Sequence, residues 1–157
     1  MTLPDLGALL HALHDGGVDF VVVGGVAVAA HEYVRATEDV DFVPAPDPEN
    51  LDRLMNVLVA LDGRLTLNAD RVIGPDERQT LHQGRNLSVS TRHGDADVIQ
   101  RLPGVPPYEM LAGASIRAEI AGVQINVCSR EHLIAMKEAR RAAIDIADLE
   151  RLNDPQS

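Results

Sequence analysis

The chain of 157 residues carries a net charge of −10 and 45% hydrophobic residues, a balance that suits one globular domain rather than a disordered tail or a membrane protein. The acidic surplus works against indiscriminate nucleic-acid binding, where Lys and Arg must neutralise phosphates, and a lone cysteine, Cys128, excludes a disulfide framework and a thiolate metal cluster. No basic segment precedes an apolar one at the amino terminus, which His11, His14 and Asp15 interrupt, and no apolar run approaches ~18 residues, so neither a signal peptide nor a membrane span is expected and the expected location is the cytoplasm.

Leu6, Leu9, Leu10 and Leu13 recur at helical spacing after Pro4, and Gly16-Gly17 ends that helix. VDFVVVGG (18–25) is a continuous, β-branched apolar run and predicts a buried strand. VAVAAHEYV (26–34) predicts a short helix by context, and EDVDFVPA alternates up to Pro44, which predicts a second strand. Asp47 or Pro48 opens a helix carrying Leu51, Leu54, Met55, Leu58 and Leu61. From Gly63 to Gly84 little periodicity survives beyond a turn at Gly74-Pro75 followed by a short helix or loop. Arginines recur every seventh residue from Arg64 to Arg92, but Gly74-Pro75 and Gly84 break any helix that would align them.

NLSVSTRHGDADVIQ (86–100) alternates on both sides of a turn at His93-Gly94 and predicts a β-hairpin. YEMLAGA predicts a short helix, SIRAEIAGVQINVCS a second hairpin around Ala121-Gly122, and the segment from about 129 to 152 a helical tail packed as part of the same domain. The fold class expected is a mixed α/β (α+β) domain spanning 1–157, with a small mixed central sheet flanked by helices. Cys128 reads as a small buried apolar residue.

Chemistry concentrates in VVVGGVAVAAHEYVRATEDVDFV (21–43). Strand residues two apart face the same way, so Asp39 and Asp41 project together while Val40 and Phe42 face the opposite side. Two carboxylates that close repel, and water, a shared proton or a cation must offset the repulsion. Hard divalent ions take such oxygen ligands together with substrate phosphates. Gly24-Gly25, directly after a buried strand, lets the backbone turn sharply and lets a phosphate approach its N–H groups. A third glycine in the dinucleotide pattern is missing. In DADVI, Ala96 and Val98 form the apolar face and Asp97 points away from it; Asp95 shares that parity but follows Gly94 and is assigned to the turn. Three carboxylates beside a glycine turn supply what two-metal phosphoryl transfer requires. An aspartate-nucleophile phosphatase would instead need consecutive apolar residues before Asp39, where RATE stands.

This order resembles the nucleotidyltransferase superfamily related to DNA polymerase beta, in its minimal single-domain form: an apolar strand, Gly24-Gly25, thirteen intervening residues, Asp39-Val40-Asp41, and a later strand with Asp97. HEYVRATEDVDFV, ADVIQRLPGVPPYEML and LIAMKEARRAAIDIADLERL further resemble the bacterial AbiEii-type nucleotidyltransferase-like proteins, many of them toxin components of toxin–antitoxin pairs. The resemblance implies a nucleotidyltransferase fold and transfer of NMP from an NTP to an acceptor. It implies Asp39, Asp41 and Asp97 as catalytic residues and ligands of two Mg²⁺ ions, with Mn²⁺ as a substitute. Gly24 and Gly25 would cradle the triphosphate, with Arg35, Thr37 and Lys137 as further nucleotide contacts and Asp145 and Asp148 as the matching carboxy-terminal aspartates.

One departure concerns the family's frequent Gly-Arg: Ala142 stands at its place, with Arg140 and Arg141 just before, so the arginine of that pair has no matching residue here. The acceptor stays open among a tRNA end, a protein side chain and a small cationic compound. A cognate antitoxin is the protein partner implied, and a catalytically silent member acting as a binding partner is the alternative. Base stacking is limited to Tyr33, Tyr108 or an arginine plane, because the chain has no Trp and two Tyr.

Overall fold

The computed structural model describes residues 5–31 and 39–152. Asp5 caps helix α1 (Leu6–Asp15) by accepting a hydrogen bond from the Ala8 N–H at 3.0 Å, and Leu9, Leu10 and Leu13 form its buried face. The apolar run then gives strand β1 (Phe20–Val23), buried at every position, and helix α2 (Gly24–His31) starts on the first glycine. Strand β2 (Asp39–Pro44) lies antiparallel to β1. Helix α3 (Pro48–Ala60) begins where its sequence signals it: Asp47 accepts from the Asn50 N–H and Pro48 occupies the first turn.

The segment from Gly63 to Gly84 holds more structure than its pattern predicts. Strands β3 (Arg64–Leu65) and β4 (Asn68–Val72) form a hairpin ahead of helix α4 (Pro75–His82). Every residue of β4 is exposed, so no apolar alternation marks it in the sequence. It is an edge strand, ordered by pairing rather than by burial.

Strands β5 (Leu87–Thr91) and β6 (Gly94–Val98) make the first predicted hairpin, helix α5 (Tyr108–Ala114) follows, and strands β7 (Ile116–Ile120) and β8 (Val123–Val127) make the second. In the second hairpin Ala121 and Gly122 both take positive φ, as a two-residue turn of this twist requires. The tail is one helix, α6 (Arg130–Leu152), whose amino end is capped by Ser129 Oγ accepting from the His132 N–H at 3.1 Å.

The strands form one eight-stranded mixed sheet in the order β4-β3-β5-β6-β2-β1-β8-β7. The β2–β6 and β1–β8 pairs are parallel and the others antiparallel. Val40 and Phe42 join the apolar core with Leu54, Leu58, Val89 and Val98, and Phe42 meets Phe20 edge to face at 5.4 Å. Asn50, fully buried, fastens α3 to the sheet ends: its Nδ2 donates to the carbonyls of Asp19 and Ala45 at 2.9 Å each, and its Oδ1 accepts from the Asp19 N–H at 2.7 Å. No helix among the described residues is long and apolar enough to cross a membrane.

Candidate active site

Strands β2 and β6 run parallel with Asp39 opposite Asp95 and Asp41 opposite Asp97. Parallel register turns two Asp-x-Asp segments into a two-by-two array on one face of the sheet, with Val40, Phe42, Ala96 and Val98 packed beneath. Asp95 therefore belongs to the strand and not to the turn. The hairpin turn is formed by Arg92 and His93, one residue earlier than the sequence suggests, because Thr91 Oγ1 binds both ends of it: it donates to the Gly94 carbonyl and accepts from the His93 N–H.

Asp39, Asp41 and Asp97 each direct a carboxylate oxygen to a common point, the three oxygens lying within 4.8 Å of one another. The cost of this arrangement shows in their acidities. Burial, a hydrogen bond shared with Asp97, and repulsion from Asp39 and Asp97 push the Asp41 carboxyl up to about 7, against a lowering influence from the Arg140 guanidinium. Asp39 is raised as well, by burial first, then by the hydrogen bond to Asp97 and the charges of Asp97 and Asp95. Half-buried carboxylates that resist carrying their charges together form a hard, all-oxygen donor set, which suits Mg²⁺ or Mn²⁺.

Gly24 stands against this cluster. Its φ is +70° and a Cβ there would collide with the Asp41 carboxylate, so both the turn and the carboxylate position require glycine. Gly24, Gly25, Asp41 and Asp97 line one end of a cleft of about 580 Å³. Lys137 and Arg140, three residues apart on one side of α6, line it as well, so the aspartates and two cations border the same space. Leu102, Pro103, Val105 and Met136 give the cleft an apolar wall. The loop carrying Gly104 seats on α6, where Ala139 occupies the space a Cβ on Gly104 would need.

Arg35 and Thr37 lie outside the described residues, as does Tyr33. Asp148 is exposed on α6, and the side chain of Asp145 is not among those described. Tyr108 is no stacking platform for this cleft: it packs against the core near Asp19 and Asp47. Arg140, to which the sequence assigns no role, enters the cleft because it follows Lys137 by one helical turn, a spacing legible in the sequence.

No protein-family model and no curated protein matches the sequence. Solved structures do. A candidate nucleotidyltransferase from Thermotoga maritima, TM1012, matches with a TM-score of 0.53 at 15% identity, over 97% of this chain and 91% of its own. The antibiotic-resistance factor ANT(2'')-Ia, in its complex with adenylyl-2''-tobramycin, matches at 0.51 with 18% identity over 82% of this chain and 72% of its own. An antigenic nucleotidyltransferase-like protein from Paracoccidioides brasiliensis matches at 0.51 with 20% identity, over 82% and 60% respectively. The mixed sheet with its flanking helices, bearing a carboxylate array on its central strands, thus has the architecture of the nucleotidyltransferase fold.

Proposed function

We propose that this chain is a metal-dependent nucleotidyltransferase that moves NMP from an NTP such as ATP to an acceptor and releases pyrophosphate. The observation that carries the reading is the convergence of Asp39, Asp41 and Asp97, of which Asp41 and Asp97 line, with Gly24, a cleft that also holds Lys137 and Arg140. Asp39 and Asp41 would hold two divalent ions, Mg²⁺ or Mn²⁺, with Asp97 sharing the one nearer the acceptor. When bound, these ions neutralise charge on the phosphates and lower the pKa of the acceptor oxygen.

The chain's own groups do the rest. Gly24 and Gly25 let phosphate oxygens approach the backbone N–H groups at the start of α2. Lys137 and Arg140 hold the triphosphate from the opposite side of the cleft and draw negative charge toward the leaving pyrophosphate. An Asp97 carboxylate oxygen receives the acceptor proton. Arg35 and Thr37 complete the nucleotide contacts in this reading, on the strength of their sequence positions.

The acidic chain, at −10, favours a cationic small molecule or a protein side chain over a tRNA end as acceptor. ANT(2'')-Ia, solved with adenylyl-2''-tobramycin, gives the small-molecule class a structural parallel. Membership of the AbiEii-type group, and with it a toxin role beside an antitoxin partner in the cytoplasm, rests on the sequence stretches alone.

The test is label transfer from α-³²P-NTPs with Mg²⁺ to a panel of the three acceptor classes, comparing wild type with Asp39→Asn and Asp41→Asn. Transfer confined to wild type is expected; equal activity in the variants overturns the assignment.

A further inference from the structure

Three register pairs set four residues in one lateral row across four adjacent strands. Val23 on β1 faces Asp41 on β2, Asp41 faces Asp97 on β6, and Asp97 faces Ser88 on β5. Neighbouring strands are ~4.8 Å apart, so the row spans about 14 Å. All four line the cleft, and Gly24 leaves the row at its β1 end. Along this line the site runs from a phosphate-accepting turn, through two aspartates, to an alcohol.

Ser88 is the only hydroxyl among the described residues that line the cleft. It is exposed, and its Oγ makes no hydrogen bond, whereas the next serine on the same face, Ser90, donates to Thr66 Oγ1 at 3.3 Å. Asn86, the other uncharged polar side chain lining the cleft, is held at both ends of its amide: its Oδ1 accepts from the Gln100 and Arg101 N–H groups and its Nδ2 donates to the Arg101 carbonyl. Lys137, the remaining nucleophile type in the cleft, sits on α6 with the triphosphate contacts rather than at the acceptor end of the row.

We propose that Ser88 is an acceptor built into the site, and that the chain nucleotidylates itself there when given an NTP and a divalent metal. This rests on the nucleotidyltransferase reading above. With the triphosphate leaving toward Gly24, the α-phosphorus lies over the aspartates and Ser88 Oγ stands on the side opposite the leaving group, as in-line displacement requires. The Ser88 Oγ–phosphorus bond forms and the bond from the α-phosphorus to the oxygen bridging to the β-phosphate breaks. Pyrophosphate departs with the bonding electrons, and the hydroxyl proton passes to Asp97. The product is an NMP ester of Ser88 lying in the cleft, which closes it to a second NTP.

The experiment incubates the full chain with each NTP and Mg²⁺ or Mn²⁺, without added acceptor. Intact mass and peptide mapping follow the products, and calorimetry follows NTP–metal binding. The expected result is a mass gain of one NMP per chain, mapped to Ser88, retained in Ser88→Thr and lost in Ser88→Ala, with modified chains no longer binding NTP. Label on another residue, or label that persists in a folded Ser88→Ala chain, overturns the proposal. So does an unmodified wild type that binds NTP and metal, and in that case the nucleotidyltransferase reading survives. Absence of any metal-linked NTP binding removes both.

Discussion

The Asp41 carboxylate occupies the space that a side chain on Gly24 would fill. The glycine turn and the acidic cluster are therefore one feature, since neither keeps its geometry if the other changes. Gly24→Ala must relieve a positive φ, at about 1–2 kcal/mol, and must also displace Asp41. We expect a fall in Tm of several degrees, at roughly 2–4 °C per kcal/mol, together with loss of Mg²⁺ binding by calorimetry. Gly74→Ala, where nothing lies near the added carbon, serves as the control.

Asp41 sets a pH dependence whose sign follows from its direction of shift. Its carboxyl titrates near 7 in the folded metal-free chain, against 3.8 ordinarily. Between those values the folded state binds the proton and the unfolded state does not, so this residue's contribution to stability declines as pH rises from about 4 through about 7. Asp41→Asn removes the proton exchange. In denaturant titrations with chelator, the variant should gain stability relative to wild type at pH 8 and lose that advantage at pH 5. A constant difference across that range would contradict the assignment.

Metal binding should reverse this penalty. Two raised carboxyls, Asp39 and Asp41, must lose their protons to ligate, so Mg²⁺ affinity should rise between pH 5 and 8 with proton release. Calorimetry in two buffers of different ionisation enthalpy measures the protons directly. At metal concentrations about 100-fold above Kd the folded state gains about 2.7 kcal/mol, which chelator removes.

Arg140→Ala should weaken NTP binding by roughly 10- to 100-fold, the range for a lost charge-assisted hydrogen bond, with a smaller change in binding of metal alone. Because Arg140 also lowers the Asp41 carboxyl, the pH at which metal binding is half-developed should move upward in the same variant.

Asn50→Ala probes the frame rather than the chemistry. It orphans the buried Ala45 carbonyl and the part-buried Asp19 N–H, while the Asp19 carbonyl keeps its bond from the Ala45 N–H. The expected cost is about 2–4 kcal/mol, read from denaturant midpoints, with Mg²⁺ affinity little changed under folding conditions.

The elements with strong patterns are legible in the sequence. Leucine spacing marks α1 and α3, Asp47-Pro48 marks a helix start, and the parity of Asp39, Asp41 and Asp97 marks one sheet face. What sequence could not supply was partner identity across strands. A hairpin turning on His93-Gly94 would set Asp97 against Ser90; the turn held by Thr91 sets it against Ser88. Both positions share parity, so the face is readable while the register depends on a local hydroxyl. The β3–β4 hairpin was illegible because its exposed edge strand, NADRV, needs no apolar side. Arg140 is legible only as a neighbour of Lys137 on the helix; its place in the cleft follows from the packing of α6.

The carboxylates stand on central strands whose undersides are locked into the core, while much of the opposite wall comes from α6 and the loop around Gly104. Floor and ceiling answer to different constraints, and drift in the ceiling can exchange one substrate for another while the aspartates stay put. Ala139, seated where Gly104 has no side chain, ties the ceiling's two parts together. Inheritance of a new specificity in such a chain should therefore show paired changes, one in the loop and one on the helix.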